Sequence, residues 1–142
     1  MSTTPTGQRS DERSNLFGYY KIAAGLFTLL VLVQAVLAGR GWFIDFDLIN
    51  IHGMIGSLTF LVGVAMVALV WLGMEKSSSE RSTLLIMSGI LVLLTVAQLG
   101  LGYSATSKNN PSAESASLHI PLGVLIFGLS CAINARTFNG KR

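Results

Sequence analysis

Four stretches of the chain, roughly residues 19–38, 48–72, 83–103 and 117–135, are almost wholly apolar, and each is near the ~20 residues a helix needs to cross a bilayer. Inside hydrocarbon every backbone N–H and C=O must find its partner within the protein, so each stretch has to be helical. With 51% hydrophobic and only 12% charged residues in 142, the chain is too apolar for an ordinary soluble domain. The expected fold is therefore all-α: an integral membrane, up-down-up-down four-helix bundle. Residues 1–15 are polar and of mixed charge and are expected to form a disordered tail. Residues 16–137 hold the transmembrane domain and 138–142 a second short tail. The net charge of +3 comes without a basic stripe interleaved with aromatics, so no nucleic-acid partner is expected.

The first apolar run follows Arg9 and Arg13 and ends Val36-Leu37-Ala38, which loosely resembles a signal peptide with a small-residue cleavage site. It is longer than the 7–15 residues of such a core, and a retained helix fits better, with Lys21 snorkelling and Tyr19 and Tyr20 in the interfacial belt. Gly39-Arg40-Gly41-Trp42 is expected to break that helix ahead of a short turn carrying Asp45 and Asp47. Residues 73–82 form a polar connector and 104–115 a longer loop. Two starts fit the last helix. Beginning near Asn110-Pro111 it would enclose Pro121, whereas beginning at Ser117 it would leave Pro121 near its first turn, where proline costs less.

Basic residues set the orientation. The N-terminal tail and first turn, the 73–82 connector and the C-terminal tail carry Arg9, Arg13, Lys21, Lys76, Arg81, Arg136, Lys141 and Arg142, against Arg40 and Lys108 in the other two loops. The positive-inside bias then places both termini in the cytoplasm of a bacterial cell with a multi-pass cytoplasmic-membrane protein.

The chain has two histidines, His52 and His119. Each lies just inside an apolar segment, where an ionisable ring is costly and marks a functional position. Each is followed four residues later by glycine, Gly56 and Gly123. Each is also preceded by about 20 residues by a glutamine near the end of the previous helix, Gln34 in Gln34-Ala35-Val36-Leu37-Ala38 and Gln98 in Gln98-Leu99-Gly100-Leu101-Gly102. The chain thus reads as two tandem helical hairpins, with four polar side chains from four helices at one depth and one outer basic residue, Arg40 or Lys108, in each repeat.

In such a bundle the second and fourth helices are diagonal, and neighbouring axes 8–10 Å apart put diagonal axes roughly 12–14 Å apart. Two inward imidazoles can then ligate one iron. A b-type haem is the expected cofactor, with glycine clearing the helix face beside each histidine. The carbonyl oxygens of Gln34 and Gln98 are candidate acceptors for the second imidazole N–H, and Arg40 and Lys108 candidate partners for propionates. Packing is the competing reading, since histidine and glycine in membrane helices also serve interhelical hydrogen bonding and close approach. Zinc is disfavoured, because two histidines without cysteine or carboxylate fall short of its ligand set. Met54, Met66 and Met87 read as core filling, Cys131 as a small buried hydrophobe, and Asp45 and Asp47 as a solvated turn.

The repeated order of glutamine, glycine-bearing turn and histidine resembles one half of the haem A synthase bundle, across about residues 19–135. It also looks like small uncharacterised four-helix bacterial membrane proteins. The resemblance implies a haem held between His52 and His119. Haem A synthases of this pattern carry glutamate three residues before the first histidine of the substrate half and arginine just after it, where this chain has Ile49 and Gly53, and the outer-loop cysteine pair of many members is absent. Haem binding carries over and the oxygenase activity does not. Two histidines fill both axial positions, so electron transfer or haem handling is the expected role. The alternatives are a cofactor-free accessory subunit of a respiratory complex and, if one histidine lets go, a haem-modifying enzyme. Partners compatible with these readings are membrane lipid, a respiratory or haem-biosynthesis membrane complex, and a second copy of the chain.

Overall fold

The computed structural model describes residues 6–107 and 110–139. Four helices account for nearly all of them: α1 (Thr6–Phe43), α2 (Leu48–Gly73), α3 (Ser79–Ala105) and α4 (Ala113–Asn139). Each contains a segment long and apolar enough to cross a membrane, Asn15–Phe43 in α1 and the whole of the other three. The chain is a multi-pass membrane protein.

Consecutive helices pack side by side, α4 closes back onto α1, and the diagonal pairs α1/α3 and α2/α4 make no close backbone approach. Connections of a few residues, 44–47, 74–78 and 106–112, allow only antiparallel neighbours. The result is the expected up-down-up-down bundle of two hairpins.

The buried stripe on each helix recurs every three or four residues, as helical periodicity demands. It runs through Tyr20, Ala24 and Phe27 on α1, Thr59, Met66 and Val70 on α2, Leu84, Ser88, Leu91 and Thr95 on α3, and Ile126, Ser130 and Ile133 on α4. Most other large apolar side chains face outward, toward where lipid would lie. Small hydroxyl residues in the stripe let the helices approach and make hydrogen bonds of their own. Tyr20 Oη and Ser88 Oγ meet at 3.1 Å across the α1/α3 diagonal. Asn134 Nδ2 donates from α4 to Thr28 Oγ1 (2.8 Å) and to the Ala24 carbonyl (3.1 Å).

This packing is concentrated at one end. Among the described residues, most buried side chains lie toward the 74–78 connector, and beyond Phe27, Thr59, Thr95 and Ile126, toward the histidine end, only Gly41 is buried. At the tightly packed end, Arg136 meets Glu80 through two hydrogen bonds of 2.9 and 2.8 Å, and the Arg81 guanidinium stacks on Trp71, 4.8 Å from the ring centre.

Helix ends differ from expectation in two places, and at a third the structure takes one of the two starts the sequence allows. Helix α1 begins at Thr6, inside the stretch expected to be a tail. Once the membrane segment has nucleated a helix, each added residue contributes a hydrogen bond without a new nucleation cost. The same helix also runs through Gly39-Arg40-Gly41-Trp42, expected to break it, and ends at Phe43 with the Arg40 carbonyl accepting from the N–H groups of Ile44 and Asp45. Gly41 serves close approach instead, since a Cβ there would stand 2.7 Å from Ile49 Cδ1. Finally, α4 starts at Ala113, so Pro121 is internal. Lacking an N–H, it leaves the Ser117 carbonyl without its helical partner beside His119.

Candidate functional site

His52 sits in the second turn of α2 and Gln34 near the end of α1, 18 residues earlier. Short turns place these two positions side by side. The His52 Nδ1–H donates to the main-chain carbonyl of Gln34 at 3.1 Å, and Gln34 Nε2 donates to the main-chain carbonyl of His52 at 2.8 Å. The second hairpin repeats the arrangement. His119 Nδ1–H donates to the Gln98 carbonyl at 3.0 Å, and Gln98 Nε2 to the His119 carbonyl at 3.0 Å. The separation is 21 residues here, and the extra three are absorbed by the longer 106–112 connection.

These bonds decide the chemistry of both side chains. A carbonyl can only accept, so Nδ1 carries the proton in each neutral ring and Nε2 presents a bare lone pair. For the same reason the amide group that meets each histidine carbonyl is the NH2 end, which fixes the glutamine orientation. Gln34 Oε1 and Gln98 Oε1 are buried without a hydrogen-bond partner. The level is therefore lined by acceptors, two imidazole nitrogens and two amide oxygens.

The two rings meet across the α2/α4 diagonal with centres 5.9 Å apart and planes at 64°. Nitrogens about 2 Å from a shared metal, with a ring centre roughly 1 Å behind each, put the centres about 6 Å apart. The spacing thus fits one metal held between two imidazoles. No group of three or more His, Cys, Asp or Glu is gathered among the described residues, so the usual zinc ligand set is not assembled. What the structure assembles is a pair of imidazole donors from two opposed helices, toward the less filled end of the bundle.

The glycines act differently from expectation. In an α-helix the carbonyl of residue i accepts the N–H of residue i+4, so a neighbouring side chain that also reaches that carbonyl must lie against residue i+4. A Cβ on Gly56 would stand 3.1 Å from Gln34 Nε2 and 3.3 Å from Leu99 Cδ2, and one on Gly123 would stand 3.2 Å from Gln98 Nε2. The space expected for a macrocycle is occupied by the glutamine amides. The glycine four residues after each histidine is what lets the amide reach the histidine carbonyl.

The other candidates fall away from the site or outside the described residues. Arg40 is exposed in the last turn of α1 and makes no ion pair among the described residues; Lys108 lies outside them. Met54 is 73% exposed, whereas Met66 is in the core and Met87 packs against it, in the opposite half. Cys131 is half-buried on α4, also in that half. In the turn, Asp45 Oδ1 accepts the Asp47 N–H at 3.1 Å, and Asp47 precedes α2 without a side-chain cap bond. Two residues with no role in the sequence reading do reach the site, Leu99 against Gly56 and Gly102 against the His119 ring. Both lie within about one turn of Gln98, Leu99 toward α2 and Gly102 toward α4.

Comparison with family models, curated proteins and solved structures finds no match to this chain.

Proposed function

We propose that the chain is a membrane protein that binds one b-type haem between His52 and His119 and serves electron transfer or haem handling. The observation that carries this reading is the pair of glutamine–histidine brackets, which hold both Nδ1 protons on carbonyls and leave each Nε2 with a bare lone pair, the two ring centres lying 5.9 Å apart. When bound, haem would be held by His52 and His119 and would supply a one-electron iron couple. The protein's share is to fix the tautomer and the direction of each imidazole, and to raise ligand basicity through the Nδ1–H···O=C bonds. The surrounding apolar helices keep the site at low dielectric. Arg40, in the last turn of α1, and Lys108, between α3 and α4 in the sequence, are the cations offered to propionates.

The proposed setting is a bacterial cytoplasmic membrane with both termini and the 74–78 connector inside, on the strength of the eight-to-two division of basic residues. The site then lies near the outer surface, within reach of a partner in a respiratory or haem-biosynthesis complex. Purification with added hemin tests the proposal. A reduced-minus-oxidised spectrum of a low-spin, bis-histidine haem is expected, with His52→Ala and His119→Ala each losing it. A folded, colourless protein that takes up no hemin refutes it.

A second reading has an observation of its own. The glutamine amides already fill the glycine spaces, so the brackets also serve as interhelical hydrogen-bond clasps in a cofactor-free subunit packed on a larger complex. The same spectrum separates the two.

A further inference from the structure

We infer that Gly102 is a positioning residue for His119, and that the bare backbone at this point of α3 is the seat on which that imidazole rests. The inference builds on the haem reading and names a residue that the repeat of glutamine, histidine and glycine does not include.

The geometry follows from the bracket. The Gln98 carbonyl accepts two protons, one from its own helix at residue 102 and one from His119 Nδ1 at 3.0 Å. A ring bound to that carbonyl must lie against residue 102. It does so closely: a Cβ on Gly102 would stand 3.1 Å from His119 Cε1, 3.5 Å from Nδ1 and 3.9 Å from Nε2. The atom approached most nearly is the carbon joining the two ring nitrogens, so a methyl group there presses on the ring between its anchored end and its ligating end. The ring can yield only by lengthening the bond to Gln98 or by turning Nε2 away from His52. Either movement alters ligation directly.

The first hairpin has Ala38 at the equivalent position, four residues after Gln34. Each half therefore has a small residue four positions after its glutamine, and the two differ there by one methyl group. Gly100, two residues from Gly102 on the same helix, faces open space, with nothing within 4 Å of a Cβ placed there. It supplies the control for helix propensity and for membrane insertion.

The experiment compares the full-length protein with Gly102→Ala and Gly100→Ala, each titrated with hemin, and follows the histidine Nδ1–H signals of the haem-free chains by 15N NMR. Gly102→Ala is expected to weaken hemin affinity by about 10–100-fold, the range for residues that orient a ligand, to reduce the low-spin fraction, and to shift the His119 Nδ1–H signal while sparing that of His52. Gly100→Ala should match the wild type. Gly102→Ala with wild-type affinity, spin state and His119 signal overturns the inference. Ala38→Val applies the same test from the other hairpin should Gly102→Ala not fold: the His52 signal alone should move, and movement of both signals or of neither counts against a seat under each ring. A wild type that takes up no hemin, with the His119 signal still selectively moved by Gly102→Ala, refutes the haem reading and leaves the seat standing.

Discussion

Gln34 and His52 hold each other twice, through hydrogen bonds that run in opposite directions: imidazole to main-chain carbonyl at 3.1 Å and side-chain amide to main-chain carbonyl at 2.8 Å. Each residue is donor and acceptor to the other, and because both acceptors are main-chain carbonyls, a rotamer change at either side chain breaks only the bond that side chain donates. The pairing of Gln98 with His119 is its counterpart.

Removing one glutamine should therefore loosen a ligand without removing it. Gln34→Leu and Gln98→Leu are expected to retain bis-histidine haem with affinity lowered on the order of 10–100-fold. Equilibrium hemin titration checks this, and a variant that binds no haem at all would mean the glutamine does more than orient.

Two glycines three residues apart should respond with opposite signs. Gly53 faces open space, so Gly53→Ala is expected to be neutral or to stabilise by up to about 1 kcal/mol through helix propensity. Gly56→Ala pushes Gln34 Nε2 off the His52 carbonyl and should destabilise by about 1–3 kcal/mol, the cost of stranding a buried polar group. Gly123→Ala should behave like Gly56→Ala. Thermal unfolding in detergent on matched samples reads the difference, and equal effects at Gly53 and Gly56 would show that the amide has room to move.

The topology is open to labelling in intact cells. Ser107→Cys should react with an impermeant thiol reagent, while Ser78→Cys should react only after lysis. The reverse pattern would invert the bundle and place the histidines near the inner face.

The Tyr20–Ser88 contact should be worth little despite its burial. Polar pairs between membrane helices average about 0.6 kcal/mol in double-mutant cycles, and the Tyr20→Phe, Ser88→Ala cycle is expected to give a coupling of that order. A coupling several times larger would mark this pair as a principal tie between α1 and α3.

Much of this was legible from the residues. The four spans followed from segment length alone, because a bilayer leaves the backbone no other choice, and the tandem repeat followed from the recurring order of glutamine, histidine and glycine. Helix ends were harder to read. Gly39 and Gly41 look like a stop, yet in a membrane segment glycine is no more than a small residue, and the helix passes through to Phe43. Pro121 likewise permits either start of α4, and the choice rests on how the 106–112 connection folds. The glycines were the instructive case. That Gly56 and Gly123 clear a face could be read from spacing, but what fills the cleared face depends on a side chain from another helix 18 or 21 residues away. Gly102 escaped for the same reason: its importance comes from the ring laid over it.

Both hydrogen bonds of each bracket close within a single hairpin, whereas the ring pair spans the boundary between hairpins. During biogenesis, a hairpin that has just entered the bilayer would already hold its imidazole in the ligating tautomer before its sibling has left the ribosome. Lateral docking of the two halves is then the moment at which the two imidazoles first meet. A chain truncated after residue 78 would be expected to insert and to keep its own bracket, with His52 held on Gln34 and no second ring to face.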